Sequence, residues 1–151
     1  MLDKVLIRCN NCGIVNRIPV DKLRSHPKCG KCKGLITFPE SPVEATAASF
    51  EDEVIRWPGD VLVEFWSQKC GVCMSLMPII YDIARHRAGK LKIVLINVER
   101  TPFLAGRFNV LSLPTFIIYK NGSLINRLDG GLAPARLEDW IDATTNLSFR
   151  F

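Results

Sequence analysis

The chain has 151 residues, of which 48% are hydrophobic and 23% charged, the balance of a folded globular protein rather than a disordered one. That length holds one good core, or a core plus a small module, and excludes a large multidomain enzyme, because domains run to roughly 100–200 residues. The net charge of +5 is unevenly placed: residues 1–40 carry eight Lys or Arg against three acids, whereas residues 41–151 carry twelve of each sign.

At the start of the chain, Asp3, Lys4 and Arg8 interrupt the apolar residues, so no secretion signal is read there. The longest apolar stretches, such as 92–98, fall far short of the roughly 18 residues a membrane span needs. A cytoplasmic protein with no membrane attachment is therefore expected.

All six cysteines fall into three C-x-x-C pairs: Cys9 and Cys12, Cys29 and Cys32, Cys70 and Cys73. Sixteen residues separate the first two pairs, inside the C-x2-C-x15–20-C-x2-C window of structural zinc sites. Each pair can form a tight turn that aims two thiolates at one tetrahedral ion, with Gly13 relieving the first turn and Lys33-Gly34 the second. Disulfides are the alternative, but a cytosolic chain disfavours them. One structural zinc is expected on Cys9, Cys12, Cys29 and Cys32. Iron in a rubredoxin-like site is the competitor, since four thiolates alone do not choose the metal.

His26 could be called a spare ligand, but four sulfurs already close the tetrahedron, so a solvated loop histidine is the better reading. Forty residues bury little apolar surface. The head (1–40) should therefore fold with its metal, gathering Val15, Ile18, Val20, Leu35 and Ile36 around it. Metal ligation would bring its charge to about +3, which leaves only a weak electrostatic case for nucleic acid.

Residues 41–48, with prolines just before and within them, read as a linker ending in a possible short first strand near 43–46. The body is expected over 49–151. Ser49, with Asp52 three residues on, predicts a helix over 50–57 that Pro58-Gly59 stops. A strand at 61–66, apolar on both faces, reads as central. A helix follows over 70–87, then a strand at 91–98 and a helix capped by Thr101 with Pro102 at its first position. Strands 115–120 and 124–128 form a hairpin across Asn121-Gly122. A last helix over 134–143 sets Leu137, Trp140 and Ile141 on one face. This order implies an α/β protein with a mixed sheet and helices on both faces. Residues 147–151 carry no recognisable chemistry and are expected to be a frayed or docked tail.

Cys70-Gly71-Val72-Cys73 lies where an apolar strand gives way to a helix. Backbone N–H groups and the helix dipole at that end favour a thiolate, which makes Cys70 an attacking nucleophile. Cys73, one turn on and less exposed, can resolve a mixed disulfide. A third metal half-site or an inert buried pair are the alternatives, and neither suits this setting.

The run Val61-Leu-Val-Glu-Phe-Trp-Ser-Gln-Lys-Cys-Gly-Val-Cys73, then Pro78, then Leu113-Pro-Thr-Phe-Ile-Ile-Tyr-Lys-Asn-Gly122, then Gly130, resembles the thioredoxin family over residues 43–145. The head, with its four cysteines and Asn16-Arg-Ile-Pro19, is similar to that of bacterial thioredoxins carrying an N-terminal zinc ribbon. The resemblance implies a thioredoxin fold preceded by a zinc ribbon. It also implies protein-disulfide reduction, with Cys70 as nucleophile, Cys73 as resolving thiol and Pro114 as a cis proline beside them. Glu64 takes the place of the family's buried aspartate, a proton shuttle whose pKa burial would raise; snorkelling to solvent is the alternative. Lys69, Gly71, Val72, Leu113 and Gly130 would form the substrate-binding surface, Leu113 through its main chain. Pro78 should bend its helix. The implied partners are disulfide-containing proteins and an NADPH-dependent reductase, with no organic cofactor bound and the chain a monomer.

Three residues depart from the family pattern. Lys69 replaces a tryptophan, Val72 replaces a proline and restores an N–H near Cys70, and Leu95 stands where a lysine usually neighbours the buried acid. The first two favour the thiolate, so a couple more oxidising than the roughly −270 mV of thioredoxin itself is expected. Two other readings remain: a disulfide isomerase or oxidase of the same fold, and a non-enzymatic zinc-ribbon adaptor that binds protein or nucleic acid. The head's shortage of aromatic residues for base stacking weighs against nucleic acid.

Overall fold

The computed structural model describes residues 4–145; the proposed tail at 147–151 lies outside them. Strands β1 (Lys4–Arg8) and β2 (Val15–Pro19) pair antiparallel, from Lys4 opposite Pro19 to Arg8 opposite Val15. A lone bridge between Lys28 and Leu35 closes the second half of the head. The small core here is Ile7, Ile18, Leu23 and Ile36 around the sulfurs of Cys9 and Cys29. Two residues expected inside are outside: Val15 and Leu35 are 39% and 55% exposed. Side chains alternate across an extended segment, so Ile18 and Ile36 turn inward at the expense of Val15 and Leu35. Ile7 and Leu23 take the vacated share.

Five further strands form the main sheet: β3 (Val43–Glu44), β4 (Asp60–Trp66), β5 (Leu91–Asn97), β6 (Thr115–Lys120) and β7 (Ser123–Asp129). Their spatial order is β3-β5-β4-β6-β7. β3 and β4 run parallel to β5, while β6 and β7 are antiparallel additions. Three helices complete the body: α1 (Gly71–His86), α2 (Pro102–Arg107) and α3 (Pro134–Thr145). The element order is the expected one except that a short π-helical turn stands in place of the helix expected over 50–57, and the short first strand is present.

Central β4 separates two cores. Leu62 and Trp66 face the side covered by Ile80 and Ile83 of α1 and Leu137 and Ile141 of α3. Val61, Val63 and Phe65 face Phe50, Val54 and Leu104 on the other side. The period-2 pattern of a strand therefore puts Glu64 on the α1 side, and this placement decides its chemistry.

Two local expectations are corrected. Residues Glu51–Ile55 form a π-helical turn without a side-chain cap. The Ser49 hydroxyl instead accepts a hydrogen bond from the Thr46 amide behind it, and the Phe50 amide donates to the Thr46 carbonyl, so the turn is launched from Thr46. Thr101 likewise makes no side-chain cap bond, although Pro102 does open α2. The Asn121-Gly122 hairpin forms with φ of 50° and 83°, the positive pair that a type I′ turn requires. A Cβ on Gly122 would lie 2.5 Å from the Ile55 carbonyl oxygen, so the turn also needs glycine for room.

Candidate redox and metal sites

The head builds its cysteine cluster from two turns of the same design. In each, the first cysteine's N–H donates to a carbonyl five residues on (Cys9 to Ile14, Cys29 to Gly34, both 2.8 Å) and its C=O accepts an N–H from four residues on (Gly13 and Lys33, both 3.0 Å). Gly13 and Lys33 both adopt positive φ, 82° and 66°. The left-handed position of the second turn is thus Lys33 itself, whereas Gly34 keeps close quarters: a Cβ there would meet the Cys32 sulfur at 3.3 Å.

The turns face each other, and the four sulfurs lie within 4.8 Å of one another. The Cys9–Cys32 and Cys12–Cys29 sulfur separations are 3.7 and 3.6 Å. A tetrahedron of sulfurs at about 2.3 Å from zinc has edges of about 3.8 Å, which these two separations match, so the donor set suits that ion. Amide N–H groups of Asn11, Lys31 and Gly34 point at the sulfurs of Cys9, Cys29 and Cys32, and the side-chain amides of Asn11 and Asn16 add bonds to Cys32 and Cys29. The Cys32 amide first, with the Asn16 carboxamide and Lys31 amide behind it, holds the Cys29 thiol below its ordinary value. Such donors stabilise thiolate ligands. His26 is exposed and outside the cluster.

The third pair is built differently. Cys70 is the extended N-cap residue of α1, its sulfur accepts the Cys73 N–H at 3.1 Å, and the two cysteines form a disulfide. The expectation that the Val72 N–H would point at Cys70 gives way to this Cys73 amide. Cys73 is fully buried in the α1-side core, while Cys70 is half-buried at its edge. The helix N-terminus and its one sulfur-directed N–H both favour negative charge on Cys70 when the bond is reduced.

The other residues singled out from sequence surround this pair. The Leu113–Pro114 bond is cis, Pro114 is buried, and the Gly130 N–H donates to the Pro114 carbonyl at 2.8 Å. Gly130 has φ of 91° and open space beside it. Its neighbour Gly131, which carries no signal in the sequence pattern, is the tighter position: a Cβ there would lie 2.6 Å from Val72 Cγ1 and 3.6 Å from Pro114. Val72 is half-exposed above it, Gly71 faces open space, and Leu113 is part-buried. Val72 and Pro114 thus both crowd the backbone at Gly131, which joins the start of α1 to the Leu113–Pro114 turn.

Glu64 does not snorkel. It is fully buried, and neither carboxyl oxygen has a hydrogen-bond partner among the described residues. Its strand neighbours are Leu95 and Phe116, both buried and apolar. Desolvation pushes its pKa up to about 8 from the usual 4.5, so it can both hold and release a proton near neutral pH. Lys69 is exposed, and its ammonium pairs with Glu99 at 3.3 Å. No described helix is long and apolar enough to cross a membrane.

Comparisons with known proteins agree with this geometry. Residues 41–143 match the thioredoxin family model, and residues 8–34 match the model for the N-terminal region of thioredoxin 2, a zinc ribbon. The chain is 30% identical over 138 residues to thioredoxin C-3 of Corynebacterium nephridii, covering 91% of this chain and 94% of that one. It is 33% identical over 104 residues to a thioredoxin of Pseudomonas aeruginosa, covering 69% and 96%. Among solved structures, a mutant thioredoxin from Halobacterium salinarum superposes with a TM-score of 0.64 at 25% identity, over 72% of this chain and 95% of that one. An extended cysteine at a helix N-terminus, a cis proline beside it, and a four-sulfur ribbon ahead of the sheet thus converge with these matches: the chain belongs to the thioredoxin family, with a thioredoxin-2-type zinc ribbon at its N-terminal side.

Proposed function

We propose that the protein reduces disulfides of other proteins through the dithiol form of Cys70 and Cys73. The observation that supports this best is the placement of the pair: Cys70 half-exposed at the N-terminus of α1, and Cys73 buried one turn on, over the sheet face that carries Glu64.

The Cys70 thiolate attacks one sulfur of the substrate disulfide, a new S–S bond forms, and the other substrate sulfur leaves and takes a proton. In its ionised form Glu64 accepts the Cys73 proton, the resulting thiolate attacks the Cys70 sulfur, and the second substrate sulfur leaves as a thiolate that takes up a proton from Glu64 or solvent. The substrate gains two electrons and two protons, and the protein ends as the Cys70–Cys73 disulfide. An NADPH-dependent thioredoxin reductase in the cytoplasm would return those electrons. Leu113, Pro114, Gly130 and Val72, with Lys69 and Gly71 beside them, would cradle the substrate chain. Zinc held by Cys9, Cys12, Cys29 and Cys32 would be structural, because all four ligand positions are filled by sulfur.

Reduction of a protein disulfide driven by dithiothreitol, with wild type and Cys70→Ser and with zinc measured on the same samples, tests this. Activity should fall to background in the variant while zinc stays near one per chain. Two inactive proteins with zinc bound would favour the adaptor reading.

A further inference from the structure

The loop that delivers Cys70 to its helix is held by a residue with no role in the exchange chemistry. Ser67 is 4% exposed at the end of β4. Its carbonyl accepts the Cys70 N–H and its hydroxyl accepts the Lys69 N–H, both at 3.1 Å, which closes the turn 67–70. The same hydroxyl donates to Glu99 Oε1 at 2.8 Å, while Glu99 Oε2 takes the Lys69 ammonium at 3.3 Å. One carboxylate thus grips the turn at two points.

Glu99 is itself fixed. The Asn97 side-chain oxygen accepts the N–H groups of Glu99 and Arg100 at 2.9 and 3.3 Å, the Val98 N–H continues the ladder to Trp66, and the Thr101 N–H returns to the Asn97 carbonyl. Asn97 is buried. The Ser67 hydroxyl first, then Lys69, holds the Glu99 carboxyl below its usual range, so the group is charged at neutral pH.

We propose that Glu99 is a positioning residue for the dithiol: clamped by Ser67, it holds the Lys69 ammonium and offsets that charge beside Cys70, keeping the couple more reducing than Lys69 alone would make it. An exposed ion pair adds little to stability, so its weight lies in where it places charge. The Lys69 cation next to a thiolate favours the reduced protein, and a fixed anion opposes this. The inference rests on the reading of Cys70 and Cys73 as the working pair.

The test is the equilibrium in which the protein disulfide and two glutathione thiols exchange for the protein dithiol and one glutathione disulfide. Glu99→Gln keeps an oxygen to accept the Ser67 hydroxyl but removes the charge. It should move the equilibrium threefold to tenfold toward the dithiol, tenfold being about 30 mV for this two-electron couple. Lys69→Met, at a side chain 86% exposed, should move it the other way, and because the fields of the two charges add at the Cys70 sulfur, Glu99→Gln should keep most of its effect in the Lys69→Met background. A change of less than twofold, a shift toward the disulfide, or loss of the Glu99→Gln effect in the Lys69→Met background would overturn the proposal. Failure of the wild type to reduce a protein disulfide would instead count against the reductase reading, because this equilibrium is read on the Cys70–Cys73 pair itself.

Discussion

The ribbon and the redox loop spell the same C-x-x-C and do different things with it. In both ribbon turns, the residue after the second cysteine, Gly13 or Lys33, takes a left-handed conformation. The chain reverses there, and both sulfurs stay on one side. After Cys73 the chain runs on as helix through Met74-Ser-Leu-Met77, so Cys73 is carried into the core and only Cys70 stays at the edge. Donors follow the same division: Cys29 has the N–H of Lys31 and the side chain of Asn16 on its sulfur, Cys70 only the amide of Cys73 among the described residues. Spacing brings two sulfurs together; the backbone conformation just after the second cysteine differs between the ribbon turns and the third pair, and with it the burial of the second sulfur.

The strongest way to break that contrast is Cys29→Ser. Ribbon zinc contributes on the order of 10 kcal/mol in folding free energy, and the head's core has only a few buried side chains to replace it. Zinc should fall from about one per chain to near zero, and the amides of β1 and β2 should lose their hydrogen-exchange protection. The body should keep its disulfide-reducing rate within about twofold, because its two cores contain no head residue. Equal loss of activity and zinc would mean the two cysteine sets act as one unit.

Much of this was legible in the sequence because local chemistry dictates it. Asn121-Gly122 can adopt the two positive φ values a tight hairpin needs, Pro102 suits a first helical turn, and near-continuous apolar runs mark β4 and β5 as buried central strands. The features that sequence did not reveal depend on partners distant along the chain. Ser49 looks like a forward cap but bonds back to Thr46, and residues 51–55 wind as a π-turn. The buried Lys92 in β5 is accommodated by Glu53 and by the face of Trp57, 3.8 Å from its ring centroid, which no periodicity announces. Around the redox pair, Gly131 and Glu99 matter because of Val72 and Ser67, reached only through the fold.

Glu64 sharpens the comparison, since no carboxylate belongs to the ribbon's cysteine cluster. Its folded pKa of about 8 stands above the ordinary 4.5, so the folded state holds a proton that the unfolded chain has already released. Between those two values stability must fall as pH rises, and above about 8 the full penalty applies. Glu64→Gln cannot ionise. Its unfolding free energy relative to wild type, from denaturant titrations of the disulfide forms, should therefore rise by about 4 kcal/mol between pH 5 and pH 9. The absolute difference at one pH is less informative, because a buried amide brings its own unpaired donors. A flat difference across that range would place the carboxylate in contact with water.

The mildest test falls on the ribbon's outer contacts. Asn16 donates through Nδ2 to the Cys29 sulfur at 3.5 Å and accepts the Gly30 N–H through Oδ1 at 2.9 Å, tying β2 to the second cysteine turn. Asn16→Ala removes a donor to a thiolate but no ligand, and loss of such a contact typically weakens a metal site by about 10–100-fold. We place this one near the lower end, because the Lys31 amide still donates to the same sulfur at 3.4 Å. Competition with a chelator of known affinity should show zinc held about tenfold less tightly, with disulfide reduction unchanged. Such an outcome would set the ribbon's tolerance beside that of the third pair: a metal site with several donors on its sulfurs can lose one and remain assembled, whereas Cys70 has a single sulfur-directed N–H among the described residues, and that N–H belongs to its own disulfide partner, Cys73.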